Sequence, residues 1–241
     1  MDGGGLIEGF LRAVFPERCP LCATGVEQPG PCARHRLPAE DVGPRCGRCA
    51  ARLAECLADG QRCDRCRRGP PAFSATRVLG DYERGSVLRD WVLALKHGGR
   101  ADLAGPLGRA LARRLADATP GVALVPVPLH PWRRLERGYD QAALLARSAS
   151  VEAELPLLPV LRRRRWTPVQ GAPGAASRRA NVDGVFEAHP RARLAGRSLW
   201  LVDDVLTSGA TASECARVLR RAGAAWVGVL ALARAAGRGM P

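Results

Sequence analysis

The sequence predicts an α/β fold with a parallel sheet, preceded by a small cysteine-rich double zinc ribbon. Three observations lead there. Eight of the nine cysteines lie between Cys19 and Cys66. Past Pro70-Pro71, short strand-like apolar runs alternate with amphipathic helical stretches, the pattern of a parallel sheet with helices packed on it. In the run Leu199 to Val205, two adjacent carboxylates, Asp203 and Asp204, fall at the carboxyl end of the strand, where sheets of this kind hold their ligands. A chain of 241 residues with 46% hydrophobic content has room for one main domain plus something smaller. Residues 1–70 are therefore expected to form the ribbon and residues 71–241 the larger domain.

The ribbon is read from its spacing. Cys19-Pro-Leu-Cys22, Cys46-Gly-Arg-Cys49 and Cys63-Asp-Arg-Cys66 are CxxC turns, and Cys32-Ala-Arg-His35 is a CxxH turn between the first two. Each such turn brings two ligands close enough to share a tetrahedral ion, so four pairs make two structural zinc sites. A disulfide framework uses the same residue type but needs an oxidising compartment. The first fifteen residues lack the basic, apolar and small-residue regions of a secretory signal. Sequential pairing gives Cys19, Cys22, Cys32 and His35 on one ion and Cys46, Cys49, Cys63 and Cys66 on the other; cross-braced pairing satisfies the spacing equally. Cys56, in a helix-like stretch, is either a replacement ligand or a buried thiol. A module this short builds little core, so metal supplies its folding energy.

In the larger domain, Ser86 to Lys96 has apolar residues at 87, 88, 91, 92 and 95, one face of a helix that His97-Gly98-Gly99 ends. Leu103 to Leu115 repeats the helical pattern. Val122 to Val127 is a short strand stopped by Pro128, Ala142 to Ser150 a helix, and Leu157 to Leu161 a short strand. Leu199 to Val205 is a strand, Ala212 to Ala222 a helix and Trp226 to Leu232 a strand. No apolar run approaches the roughly 18 to 20 residues of a membrane span. A cytoplasmic protein that does not span a membrane is expected.

Behind the acid pair comes Leu206-Thr207-Ser208-Gly209-Ala210-Thr211, a turn of small hydroxyl residues leading into a helix. Gly209 supplies unusual backbone angles, and free N–H groups at the helix start join the hydroxyls as a cradle for one phosphate. The acids then accept hydrogen bonds from vicinal ribose hydroxyls, directly or through a water-bearing Mg²⁺. A sugar phosphate satisfies both halves. An N-cap after a strand with two exposed acids explains neither the paired carboxylates nor the dense hydroxyls.

The hydrophobic strand, Asp-Asp and Thr-Ser-Gly-Ala-Thr resemble the phosphoribosyl diphosphate signature of type I phosphoribosyltransferases. CPLC with the later CxxC pairs, LKHGGR at 95 to 100, VPVPLHPWRRLERGYDQA at 125 to 142, and TPVQ followed by SRRANVDGVF at 167 to 186 resemble ComF proteins over nearly the whole chain. That resemblance implies a zinc ribbon followed by a Rossmann-like phosphoribosyltransferase domain, and a link to uptake of single-stranded DNA. It implies that Val127 to Gln141 is a loop that grips the diphosphate with Arg133, Arg134 and Arg137, while Gly138 lets the backbone approach. Thr167 to Asn181 matches a closing loop in which Arg178 or Arg179 stabilises departing diphosphate. Lys96 is either a cation aimed at the same crevice or a snorkelling surface lysine. Two departures stand out: CxxH where the family usually has CxxC, and Ala175 where a basic residue is expected in the closing loop.

Lys and Arg total 37 against 23 Asp and Glu, a formal net charge of +14. The excess favours phosphates, nucleic acid or an anionic surface, but a composition rich in Arg, Ala, Gly and Pro produces it too. Two functions follow. In one, Asp203, Asp204 and Thr207 to Thr211 hold Mg²⁺-bound phosphoribosyl diphosphate for transfer to an unidentified acceptor. In the other, the pocket is a non-catalytic sensor, and the ribbon with Arg162 to Arg165 contacts single-stranded DNA or proteins of the uptake machinery. Aromatic residues interleaved with basic ones, as base stacking requires, are scarce apart from Trp132 and Trp166.

Overall fold

The computed structural model describes residues 16–28, 30–37, 43–53, 61–117, 121–164 and 184–235. The chain forms two compact units, Met1–Ala39 and Glu40–Pro241. The second cysteine cluster therefore belongs to the unit that holds the sheet, and the change in residue chemistry at Pro70-Pro71 falls inside that unit. The reason is bonding: Thr76 Oγ1 donates to the Arg48 carbonyl at 2.7 Å, and Asp81 pairs with Arg45 at 2.8 Å and Arg52 at 2.6 Å.

The smaller unit contains a turn closed by Cys19 N–H to Thr24 and Ala23 N–H to Cys19, and a single 3₁₀ turn at Ala33–His35. The larger unit begins around the second cluster, with the short helix α1 (Asp64–Arg68) carrying Cys66. It continues with β1 (Ala75–Tyr82), α2 (Val87–His97), a 3₁₀ turn at Ala101–Leu103, α3 (Ala104–Arg113), β2 (Ala123–Pro126), α4 (Pro131–Arg137) and α5 (Gln141–Glu152). β3 (Leu161–Arg163), β4 (Phe186–Ala188), β5 (Ser198–Leu206), α6 (Ala210–Arg221) and β6 (Trp226–Ala235) complete it.

The main sheet has the order β1-β6-β5-β2 with every pair parallel, and β3 and β4 form a separate antiparallel pair. Because side chains alternate along a strand, register fixes which residues share a face. Ala123 lies beside Leu199 and Val125 beside Leu201, which in turn flank Val227 and Val229. These pack with Ala212, Cys215, Ala216 and Leu219 of α6 in one core. Helix α5 lies on β2 and β5, α3 packs against α5, and α2 lies on β1 and β6. The α3–α5 approach is close: a methyl at Gly108 would stand 2.4 Å from Ser148 Cβ.

The parallel α/β architecture agrees with the expectation, with three differences. β1 was not foreseen. The expected strand at Leu157 to Leu161 is a single bridge of Leu157 to Leu124, with β3 starting only at Leu161. Within Val127 to Gln141, expected to be a loop, residues Pro131–Arg137 are helical, with Pro131 in the first turn and the His130 ring accepting from Trp132 N–H at 3.2 Å. Among the described residues, no helix is long and apolar enough to cross a membrane.

Candidate sugar-phosphate cleft and metal centres

The cleft lies at the carboxyl ends of β2 and β5. β5 delivers Asp203 and Asp204, both half-buried, and α2 delivers Lys96 from its last turn. Lys96 Nζ stands 2.9 Å from Asp204 Oδ1, so this lysine points inward rather than along the surface. Asp203 Oδ1 accepts the Asp204 N–H at 2.8 Å. Burial, followed by the neighbouring charge of Asp204, pushes the Asp203 carboxyl up to about 7 against the pull of Lys96. The acid pair thus carries more negative charge than one ammonium answers, and it suits a ligand that brings hydroxyl donors or a cation.

Arg133, Arg137 and Thr211 line the same cleft, as do Asp140, Gln141 and Arg163. Two stitches hold the lining in place. Asp140 caps α5 by accepting from Ala143 N–H at 3.1 Å, and its other oxygen accepts from Leu129 N–H at 3.1 Å. The Tyr139 hydroxyl donates to the Leu95 carbonyl at 2.5 Å, fixing the turn of α2 that carries Lys96. Gln141 is 1% exposed, and its amide Nε2 has no hydrogen-bond partner among the described residues. A buried donor left unpaired costs free energy, and a ligand oxygen in the cleft would satisfy it.

The structure divides the expected binding residues. Arg133 and Arg137, one helical turn apart, share the face of α4 toward the cleft, whereas Arg134 is exposed and does not line it. Gly138 ends α4 at φ 78°, stopping the helix in the left-handed region that favours glycine. Gly209 takes the same conformation, φ 75°, at the N-cap of α6. Ser208, Gly209 and Ala210 line a neighbouring pocket together with Cys49, Arg65 and Arg234, while Thr207 is exposed and lines neither. The closing loop, with Ala175, Arg178 and Arg179, lies outside the described residues.

Both cysteine clusters assemble in the sequential pairing. Cys19, Cys22, Cys32 and His35 have ligand atoms within 4.8 Å of one another, and so do Cys46, Cys49, Cys63 and Cys66. Sulfurs on a tetrahedral zinc stand about 3.8 Å apart, from Zn–S bonds near 2.3 Å. Cys22 and Cys32 are 3.7 Å apart, Cys49 and Cys63 3.6 Å, and His35 Nδ1 is 3.5 Å from Cys32 Sγ. Both clusters could hold a zinc ion, and the CxxH turn presents its ring nitrogen as closely as a thiol. In the second cluster, burial raises the Cys46 thiol, but the N–H groups of Cys63, Cys49 and Arg48 outweigh it and bring it down to about 7. Burial and then the Cys46 charge push Cys49 up to about 11. Cys56 lies outside the described residues.

No protein-family model matches the chain. Competence protein F of Haemophilus influenzae is 31% identical over 201 residues, covering 80% of this chain and 85% of that one. DNA utilization protein YhgH of Escherichia coli K12 is 32% identical over 71% of this chain and 77% of its own length. The YhgH of Salmonella typhimurium is 30% identical over 90% and 89%. Among solved structures, a glutamine phosphoribosylpyrophosphate amidotransferase from B. subtilis, complexed with ADP and GMP, aligns with TM-score 0.40 and 22% identity. That alignment covers 57% of this chain but 30% of the amidotransferase. The curated relatives share sequence with this chain over most of both lengths, and the chain accordingly belongs to the ComF family.

Proposed function

We propose that this protein binds phosphoribosyl diphosphate with Mg²⁺ in the cleft and transfers the phosphoribosyl group to an acceptor, in the cytoplasm and in the service of DNA uptake. The observation that carries this reading is the convergence of Asp203, Asp204, Lys96, Arg133, Arg137 and Thr211 on one cleft. The DNA-uptake link comes from the names of the relatives, competence protein F and DNA utilization protein. The paired carboxylates offer hard oxygen ligands, which fit Mg²⁺ or its bound waters. When bound, Mg²⁺ would neutralise charge on the diphosphate.

The chain's own residues do the rest. Asp203 and Asp204 accept hydrogen bonds from the ribose hydroxyls, with Lys96 holding Asp204 in place. Thr211 and the first turn of α6 receive the 5-phosphate. Arg133 and Arg137 pair with diphosphate oxygens, and the buried Gln141 amide donates to another. As the bond from C1 to diphosphate breaks, its electrons leave with the diphosphate and C1 becomes positive. The arginines, joined by Arg178 or Arg179 of the closing loop, stabilise the departing charge. A nucleophile, such as a nucleobase nitrogen, then bonds to C1 and loses its proton.

The second reading, a sensor or a binder of single-stranded DNA, has less support in the Arg162 to Arg165 run than its charge implies. Arg162 and Arg164 both pair with Glu187, and Arg163 turns into the cleft. Calorimetry with Mg²⁺ and phosphoribosyl diphosphate tests the proposal. The wild type is expected to bind and Asp203→Asn/Asp204→Asn to lose binding; no heat from the wild type refutes it. Binding without diphosphate release across a panel of bases selects the sensor.

A further inference from the structure

The loop after β5 is held from behind. Arg234, at the end of β6 and 5% exposed, donates through Nε to the Cys49 carbonyl at 2.9 Å and through Nη1 to the Leu206 carbonyl at 2.8 Å and to that of Thr207. Arg65, on α1 between Cys63 and Cys66, donates to the Ser208 carbonyl at 2.7 Å. Three successive carbonyls of the loop are thus gripped by two arginines, one bonded to a cysteine of the second cluster and the other one residue from another. In a trans peptide the C=O of one residue and the N–H of the next point in opposite directions. Gripping the carbonyls of 206, 207 and 208 therefore turns the N–H groups of Thr207, Ser208 and Gly209 away from the cluster.

The electrostatics link the same parts. A buried guanidinium needs compensation, and Arg234 receives it from neutral carbonyls and the nearby Cys49 thiol. Four thiolates around one divalent ion carry net negative charge, which favours keeping Arg234 and Arg65 where they stand. We propose that Arg65 and Arg234 are positioning residues through which the second cysteine cluster, filled with zinc, sets the loop after β5 in the shape that receives a phosphate. The phosphate clause rests on the function proposed above; the positioning itself does not.

Arg234→Met leaves several buried carbonyls unpaired and risks misfolding, so the test uses Arg65, which is exposed. In the zinc-loaded full chain, Arg65→Ala is expected to speed amide hydrogen exchange at Ala210 and Ser213, which donate to Ser208 Oγ and the Gly209 carbonyl, about tenfold, as loss of one charged hydrogen bond would. Arg65→Lys, which still reaches one carbonyl, should restore most of the protection, with zinc content and α5 exchange unchanged. Chelation of zinc from the wild type should speed the same amides. Wild-type exchange at Ala210 and Ser213 in Arg65→Ala, or no change there on chelation, overturns the proposal. Titration with ribose 5-phosphate separates it from the function: it should bind Arg65→Ala about tenfold more weakly than wild type. A wild type that binds no ribose 5-phosphate while the exchange effects hold removes the phosphate clause and leaves the positioning standing.

Discussion

The two cysteine clusters are made from the same short turns, yet the protein supports them differently. In the first, Cys19 and His35 are buried but Cys22 is exposed and Cys32 half-buried, and the hydrogen bonds of Cys19 and Cys22 run to Ala23, Thr24 and the other ligands of the set. In the second, Cys46, Cys49 and Cys66 are buried, Leu53 packs on them, and Ala50 between them belongs to the core of the main sheet. Ligand spacing alone thus does not say how far a site depends on its metal; the packing behind it does.

Metal removal separates them most. Structural zinc contributes on the order of 10 kcal/mol to small domains of this kind. A chelator should abolish exchange protection across residues 16–37 while residues 43–53 keep part of theirs; equal loss in both would erase the distinction. Next in size is Asp81→Asn, which strips the carboxylate from Arg45 and Arg52 and should cost about 3 kcal/mol in thermal or denaturant unfolding. Zinc release should quicken at the second cluster only.

A third concentration of like charge sharpens the contrast, because the acid pair is answered by a lysine. Asp203 is raised to about 7 when folded, against about 3.9 when unfolded. Between those values the folded state holds the extra proton, so wild-type stability falls as pH rises from about 4 to 7. Asp203→Asn escapes that loss and should be about 2 kcal/mol more stable than wild type at pH 8, a gap that closes toward pH 4. Unfolding curves at both pH values check it. The smallest effect is expected at Gly209→Ala, where φ 75° penalises a side chain by about 1 kcal/mol. Calorimetry should show weaker phosphate binding, and neither cluster should change.

Strands β2, β5 and β6 and the longer helices were legible because their residues face apolar neighbours on both sides or along one stripe. β1 was hidden by polar residues that each find a partner: Thr76 bonds to Arg48, Arg77 to Asp117 and over the Trp200 ring, and Asp81 to two arginines. Within the site, Asp203, Asp204 and Thr211 were readable from motif and spacing, and Arg133 and Arg137 through the family resemblance, whereas for Lys96 the sequence left a surface position open until its pairing with Asp204 was seen. Gln141 was not, since its burial is the signal and a sequence does not display burial. Arg163 was concealed in a basic run; strand alternation in β3, with Arg162 and Arg164 both on Glu187, was the clue that it faces elsewhere. Short α4 buries no residue, so it left no periodicity to find.

The strand order β1-β6-β5-β2 also governs how the chain is made. Among the described strands β1 is the first to be made, but its neighbour β6 is the last of them. The edge of β1 therefore waits while β2 to β5 are made, a long-range pairing of the kind that slows folding and exposes nascent chains to aggregation. Cys46, Cys49, Cys63 and Cys66 can capture metal while that wait lasts. Arg234 arrives only with β6, so a preloaded metal knot offers that strand a ready acceptor in the Cys49 carbonyl, and the pairing of β6 is also what latches the loop.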